Sequence, residues 1–145
     1  MYQIIKILFL LSLSSSLMSK EITSKELIFI YNAKSGLVNE LVDFAHKVIS
    51  PQTYECNLCA ITYGTFTMEK RWANYIESLP IESVFTYKDK IISEELKKTK
   101  LPSIFIRDGE KLNELISANE INNINNLEDL IRVLDTRLKE RGMDT

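Results

Sequence analysis

Two cysteines and a single histidine are all that 145 residues contain of the side chains that most often hold structural zinc. Such a site wants four ligands, so a complete one would need a carboxylate or a second subunit. Glycine is scarce, and nowhere does G-x-x-x-x-G-K-[ST] occur, which leaves a nucleotide-hydrolysis reading without residues to support it. A surplus of positive charge is missing too: 18 basic against 20 acidic side chains give a net charge of -2. A general nucleic-acid binder needs a basic face, and none is indicated. Lys97, Lys98 and Lys100 do cluster, but Glu94 and Glu95 precede them, as on a solvated helix face. No Ser-His-Asp set is suggested, and the carboxylates follow no pattern that singles out an acid-base pair. Internal repeats and domain-splitting linkers are likewise absent from the sequence.

What remains is the composition of an ordinary folded protein, long enough for one domain with a hydrophobic core. Residues 1–19 have the pattern of an export signal. Lys6 gives a weakly basic start, Ile7-Leu-Phe-Leu-Leu-Ser-Leu13 is the apolar stretch, and small residues near Ser16 or Ser19 offer cleavage points. That run is too short and too rich in serine for a membrane span of ~20 residues. No cysteine follows it, so a bacterial lipid anchor is not supported. The expectation is a signal peptide over 1–19 and a single α/β domain over 20–145, in an oxidising compartment where paired thiols become disulfides. No membrane contact is expected beyond the signal.

Glu26-Leu-Ile-Phe-Ile-Tyr31 is a continuous run of β-formers, as in a strand buried on both faces. Asn32-Ala-Lys-Ser-Gly36 leaves it as a turn. Leu37, Val38, Leu41, Val42, Ala45, Val48 and Ile49 then recur at helical spacing until Pro51. His46, at the edge of that stripe, reads as a partly buried structural residue. Beyond the cysteines, Thr67 is placed to cap a helix whose Met68, Trp72, Tyr75, Ile76 and Leu79 share one face, with Pro80 ending it. Ser83-Val-Phe-Thr-Tyr87 follows as a strand, and residues 89–98 as a short helix with Ile91, Ile92 and Leu96 inward. Leu101-Pro102-Ser-Ile-Phe-Ile106 is the next strand, with proline at its tolerated first position. Asp108-Gly109 turns the chain into a hairpin strand over 111–116. Residues 117–125 read as a polar loop anchored by Ile121 and Ile124. Asn126 then caps a last helix with Leu127, Leu130, Ile131, Leu134 and Leu138 on its buried stripe and Gly142 at its end.

The stretch Tyr54-Glu-Cys56-Asn-Leu-Cys59-Ala-Ile-Thr-Tyr63-Gly64 carries the chain's only distinctive chemistry, and three readings of it stand open. In one, Cys56 at a helix N-terminus is a thiolate nucleophile and Cys59 resolves the mixed disulfide. Tyr54 and Tyr63 then flank a thiol- or disulfide-bearing protein partner, and Glu55 works against thiolate formation. In another, Cys56, Cys59 and His46 begin a zinc site. In the third, the cysteines form a local structural disulfide or pack as small apolar residues. A strand over 58–63 would point the two sulfurs to opposite faces, whereas a helical turn at Cys56 would bring them together. The residues themselves leave that choice open: β-formers end the run and helix-formers start it.

The order strand, helix, cysteine segment, helix, strand, helix, proline-led strand, hairpin strand, helix resembles the thioredoxin-like fold over most of residues 26–140. The resemblance implies a mixed sheet of about four strands flanked by helices, with an extra helix after the first. It also implies a cis proline and partner contact at Pro102. The chain is further similar to a family of small bacterial proteins that share the strand-Tyr-Asn-Ala start and the Cys-x-Leu-Cys-x-x-Thr-Tyr-Gly run, a likeness that implies no known activity. It departs from thioredoxins in one respect. Asn32-Ala-Lys-Ser-Gly36 stands where they carry C-x-x-C, and the cysteines come a whole helix later. About 14 helical residues span ~20 Å, so Cys56 and Cys59 are expected at the far end of the domain from Pro102 unless the chain doubles back. Thiol–disulfide exchange through this displaced pair, with Cys56 attacking, and a non-catalytic binding or structural module are the two functional expectations. The second places its contact surface on the tyrosines or on the turn over 32–36. Neither requires a cofactor.

Overall fold

In the computed structural model, which describes residues 25–35, 56–64 and 67–143, the sheet is built around strand β1 (Glu26–Tyr31). Every residue of β1 after Glu26 is buried, as its uninterrupted apolar sequence demands, because alternate side chains must be covered on both faces. Strand β2 (Glu82–Tyr87) pairs with it in parallel, from Glu26 opposite Glu82 to Tyr31 opposite Tyr87. Strand β3 (Ser103–Asp108) pairs antiparallel on its other side, and β4 (Lys111–Ile116) pairs antiparallel with β3. The order is β2-β1-β3-β4. Gly109, at φ 61°, supplies the left-handed residue that the tight Asp108-Gly109 reversal requires.

Leu27, Phe29, Tyr31, Ile104 and Ile106 line one face of the sheet, in a core that also takes both cysteines. Helix α1 (Asn57–Thr62), α2 (Lys70–Ser78), α4 (Ala118–Asn122) and α5 (Leu127–Lys139) contribute Leu58, Trp72, Ile121 and the Leu130, Leu134, Leu138 stripe. Each of those three leucines is fully buried, worth about 1.5–3 kcal/mol apiece by transfer from water. The Asn126 side chain accepts from the Asp129 N–H at 2.9 Å and so satisfies one of the free donors of the first turn. On the opposite face Ile28, Ile30 and Phe105 pack against Leu96 of the single-turn helix α3 (Glu94–Lys97). The molecule is thus α/β, with a mixed four-stranded sheet flanked by helices. The peptide bond between Leu101 and Pro102 is cis.

Several local expectations are revised. Thr67 is not the cap of α2: Glu69 holds that position and makes no side-chain capping bond. The chain instead closes a small bridge between Tyr63 and Met68, with Gly64 N–H donating to the Thr67 carbonyl at 2.8 Å. That bridge keeps Met68 out of the helix. The helix expected over 89–98 is confined to Glu94–Lys97, and Ile92, counted as inward, is 90% exposed. The polar loop over 117–125 contains α4, closed by a capping box. The Ser117 side chain accepts from the Glu120 N–H, and the Glu120 carboxylate accepts from the Ser117 N–H at 3.0 Å. The helical stripe over 37–49 with His46, the signal segment, and Tyr54 lie outside the described residues.

Candidate functional site

Cys56 occupies the N-cap of α1 and Cys59 lies one turn on. The helical alternative therefore holds, and two residues three apart on a helix share a face. Their Cα atoms are 5.3 Å apart and the sulfurs are joined in a disulfide, within the span such a bond tolerates. The Cys59 N–H also donates to Cys56 Sγ at 3.3 Å, so the sulfur doubles as the helix cap. Cys56 is 1% exposed and Cys59 6%. In this form each sulfur is bonded to the other and offers no thiolate to a metal. Among the described residues no group of three or more His, Cys, Asp or Glu is placed to hold an ion.

At six residues α1 is too short to persist alone, since isolated helices need about 12–15. Tertiary bonds fix it. The Asn57 amide donates to the carbonyls of Ile121 at 2.6 Å and Ile124 at 2.9 Å. At the other end the Thr62 hydroxyl donates to the Leu58 carbonyl and stands 3.1 Å from the Tyr31 hydroxyl. These anchors locate the cysteines in the fold. Tyr31 ends β1, Ile121 and Ile124 follow β4, and β3 begins at this same end, with Ser103 opposite Ile30 and Ile104 opposite Ile116. The cysteine helix returns to the end of the sheet at which Pro102 leads into β3, not to the far end. Pro102 is itself buried there.

Tyr63, the C-cap of α1, is half-buried and packs edge-on against Tyr31, with its hydroxyl 3.4 Å from that of Tyr87. Tyr31 and Tyr87 stack at 5.7 Å. Burial pushes the phenol pKa of Tyr31 above its usual 10, with the Tyr87 charge adding to the effect. Burial and the Tyr87 hydrogen bond do the same to Tyr63. Burial and the hydrogen bond to Asp135 raise Tyr75 likewise. A raised folded value means stability complete below pH 10 and lost as pH climbs toward the folded pKa. In an alkaline titration followed by tyrosinate absorbance, Tyr31, Tyr63 and Tyr75 should therefore stay silent near pH 10. They should ionise only together with a loss of circular dichroism at higher pH. Independent titration of all tyrosines near pH 10 in a still-folded protein would contradict this.

Beside this cluster the turn over 32–35 is tied to the turn after β2. Asp89 accepts from the Ser35 N–H and from the Ser35 hydroxyl, both at 2.8 Å. Those two bonds, the backbone one foremost, hold its carboxyl below the usual carboxylate range. The Lys88 N–H donates to the Tyr31 and Ala33 carbonyls. Asn57, Thr62 and Asp89 escaped the sequence reading. A polar residue in a C-x-x-C spacer, or in a turn, gives no hint that its partners lie 64, 31 or 54 positions away. Comparison with protein-family models, curated proteins and solved structures finds no match for this chain.

Proposed function

We propose that this chain is an exported thioredoxin-like module whose Cys56–Cys59 disulfide fixes the surface at one end of the sheet, and that it works by binding rather than by thiol exchange. One observation carries the choice: both cysteines are buried, at 1% and 6% exposure. Exchange requires a thiolate to reach a disulfide sulfur directly, so access governs the rate. The thioredoxin-like assignment is supported by the β2-β1-β3-β4 order, the Pro102-led third strand, the Asp108-Gly109 hairpin and the closing helix α5. Export is supported by the signal-like pattern of residues 1–19 and by a disulfide that persists in oxidising compartments. The contact surface is the sheet end formed by the turns over 32–35 and 88–90 and by the half-buried rings of Tyr63 and Tyr87.

Trapping tests the choice. The native protein reduced with millimolar dithiothreitol and then pulsed with excess iodoacetamide should stay unlabelled, and should take up two labels when the same reduction is carried out in guanidinium. Fast labelling of Cys56 in the native state would overturn the assignment. It would favour the second reading, exchange with Cys56 attacking and Cys59 resolving. A single observation favours that reading: Cys56 stands at a helix N-cap, where backbone N–H groups stabilise a thiolate.

A further inference from the structure

The two edges of the sheet meet their surroundings differently. β4 carries Lys111, Asn113 and Glu114 exposed, and its pairing with β3 shifts register between Ile104 and Phe105. Charges and irregularities of this kind stop an edge strand from adding to another chain. Past its opening Glu82, β2 has neither device. Ser83-Val-Phe-Thr-Tyr87 contains no charge, proline or glycine, and its register against β1 runs unbroken. Its residues after Glu82 are only half-buried, and among the described residues no strand pairs with its outer side.

We propose that β2 is the interface of a symmetric dimer in which the β2 strands of two copies pair antiparallel, joining the sheets into one. The charge pattern selects a second copy as the occupant. Exposed Glu82 opens the strand and exposed Lys88 stands just past its end. Antiparallel pairing about a two-fold axis at Phe85 sets Glu82 of each copy opposite Lys88 of the other, Ser83 opposite Tyr87, and Val84 opposite Thr86. Opposite charges and β-branched pairs directly across a ladder are favourable, and the strand supplies both to itself. Among the described residues the Lys88 ammonium makes one long contact, of 3.5 Å, to Asn32 Oδ1. Closed two-fold pairing is also the commonest form of self-association.

Sedimentation equilibrium of the oxidised chain tests this, with Glu82→Lys, Lys88→Glu and the combined swap as variants. Both positions are exposed, and unchanged circular dichroism of each variant confirms that it folds. The wild type should dimerise in the micromolar range. Each single reversal places like charges together twice per dimer and should weaken association about tenfold, and the double swap should restore it to within about threefold. A wild type that sediments as a monomer at ~100 μM would overturn the proposal. So would a dimer indifferent to the single reversals, or a swap no tighter than either of them.

Discussion

Replacing Trp72 with alanine is expected to lower stability by about 3–5 kcal/mol, the range for emptying a fully buried large aromatic site. The ring is wholly buried, meets Phe29 edge-on at 5.4 Å and stacks on Tyr75 at 5.7 Å. Phe29 in turn stacks on Phe85 at 5.0 Å. Trp72 therefore couples α2 to β1 and β2, while Tyr75, on the same helix, donates to Asp135 of α5 at 2.6 Å. Native domains hold only about 5–15 kcal/mol in total. A loss of this size should lower the melting temperature on the order of 15 °C. A guanidinium titration gives the number directly. A shift under 1 kcal/mol would mean that Trp72 is not the keystone between helix and sheet.

Removing both cysteines should cost less but tell more. Cys56→Ala with Cys59→Ala deletes a cross-link that closes a very short loop, for which loss of unfolded-chain restriction predicts about 2 kcal/mol. Alanine is the informative choice, because serine would add buried hydroxyls at about 1–3 kcal/mol each when unpaired. The loss should concentrate in α1, whose six residues are then held by the Asn57 and Thr62 hydrogen bonds and the burial of Leu58. Amide exchange over 57–62 should quicken well beyond that in β1. Reducing the wild type under denaturing conditions and refolding it with blocked reoxidation should give a comparable loss. If the variant keeps full stability, the disulfide is not the fixture described above.

How much of this was readable in the residues follows from which forces are local. β1, the Asp108-Gly109 hairpin and α5 were legible because each carries its own signal: an unbroken apolar run, a dipeptide suited to left-handed backbone, and a capped stripe of leucines. Helical spacing from Asp89 turns Ile92 inward, whereas Asp89 is taken up by Ser35 and the helix begins only at Glu94. At α1 propensity was balanced, and bonds from Asn57 to Ile121 and Ile124 and from Tyr31 to Thr62 decided it, none of them visible in sequence. The return of the cysteine helix to the Pro102 end has the same origin. Helix length bounds how far a segment reaches, but only long-range hydrogen bonds say where it comes back.

The most direct measurement is the midpoint potential of the Cys56–Cys59 pair, read by equilibrating the native protein in thiol buffers of graded potential and quantifying free thiols by mass spectrometry. A sealed structural cross-link should stay oxidised until the buffer falls below about -300 mV. A midpoint between about -270 and -120 mV, the span of dedicated exchange proteins, would contradict the staple and return the pair to catalysis.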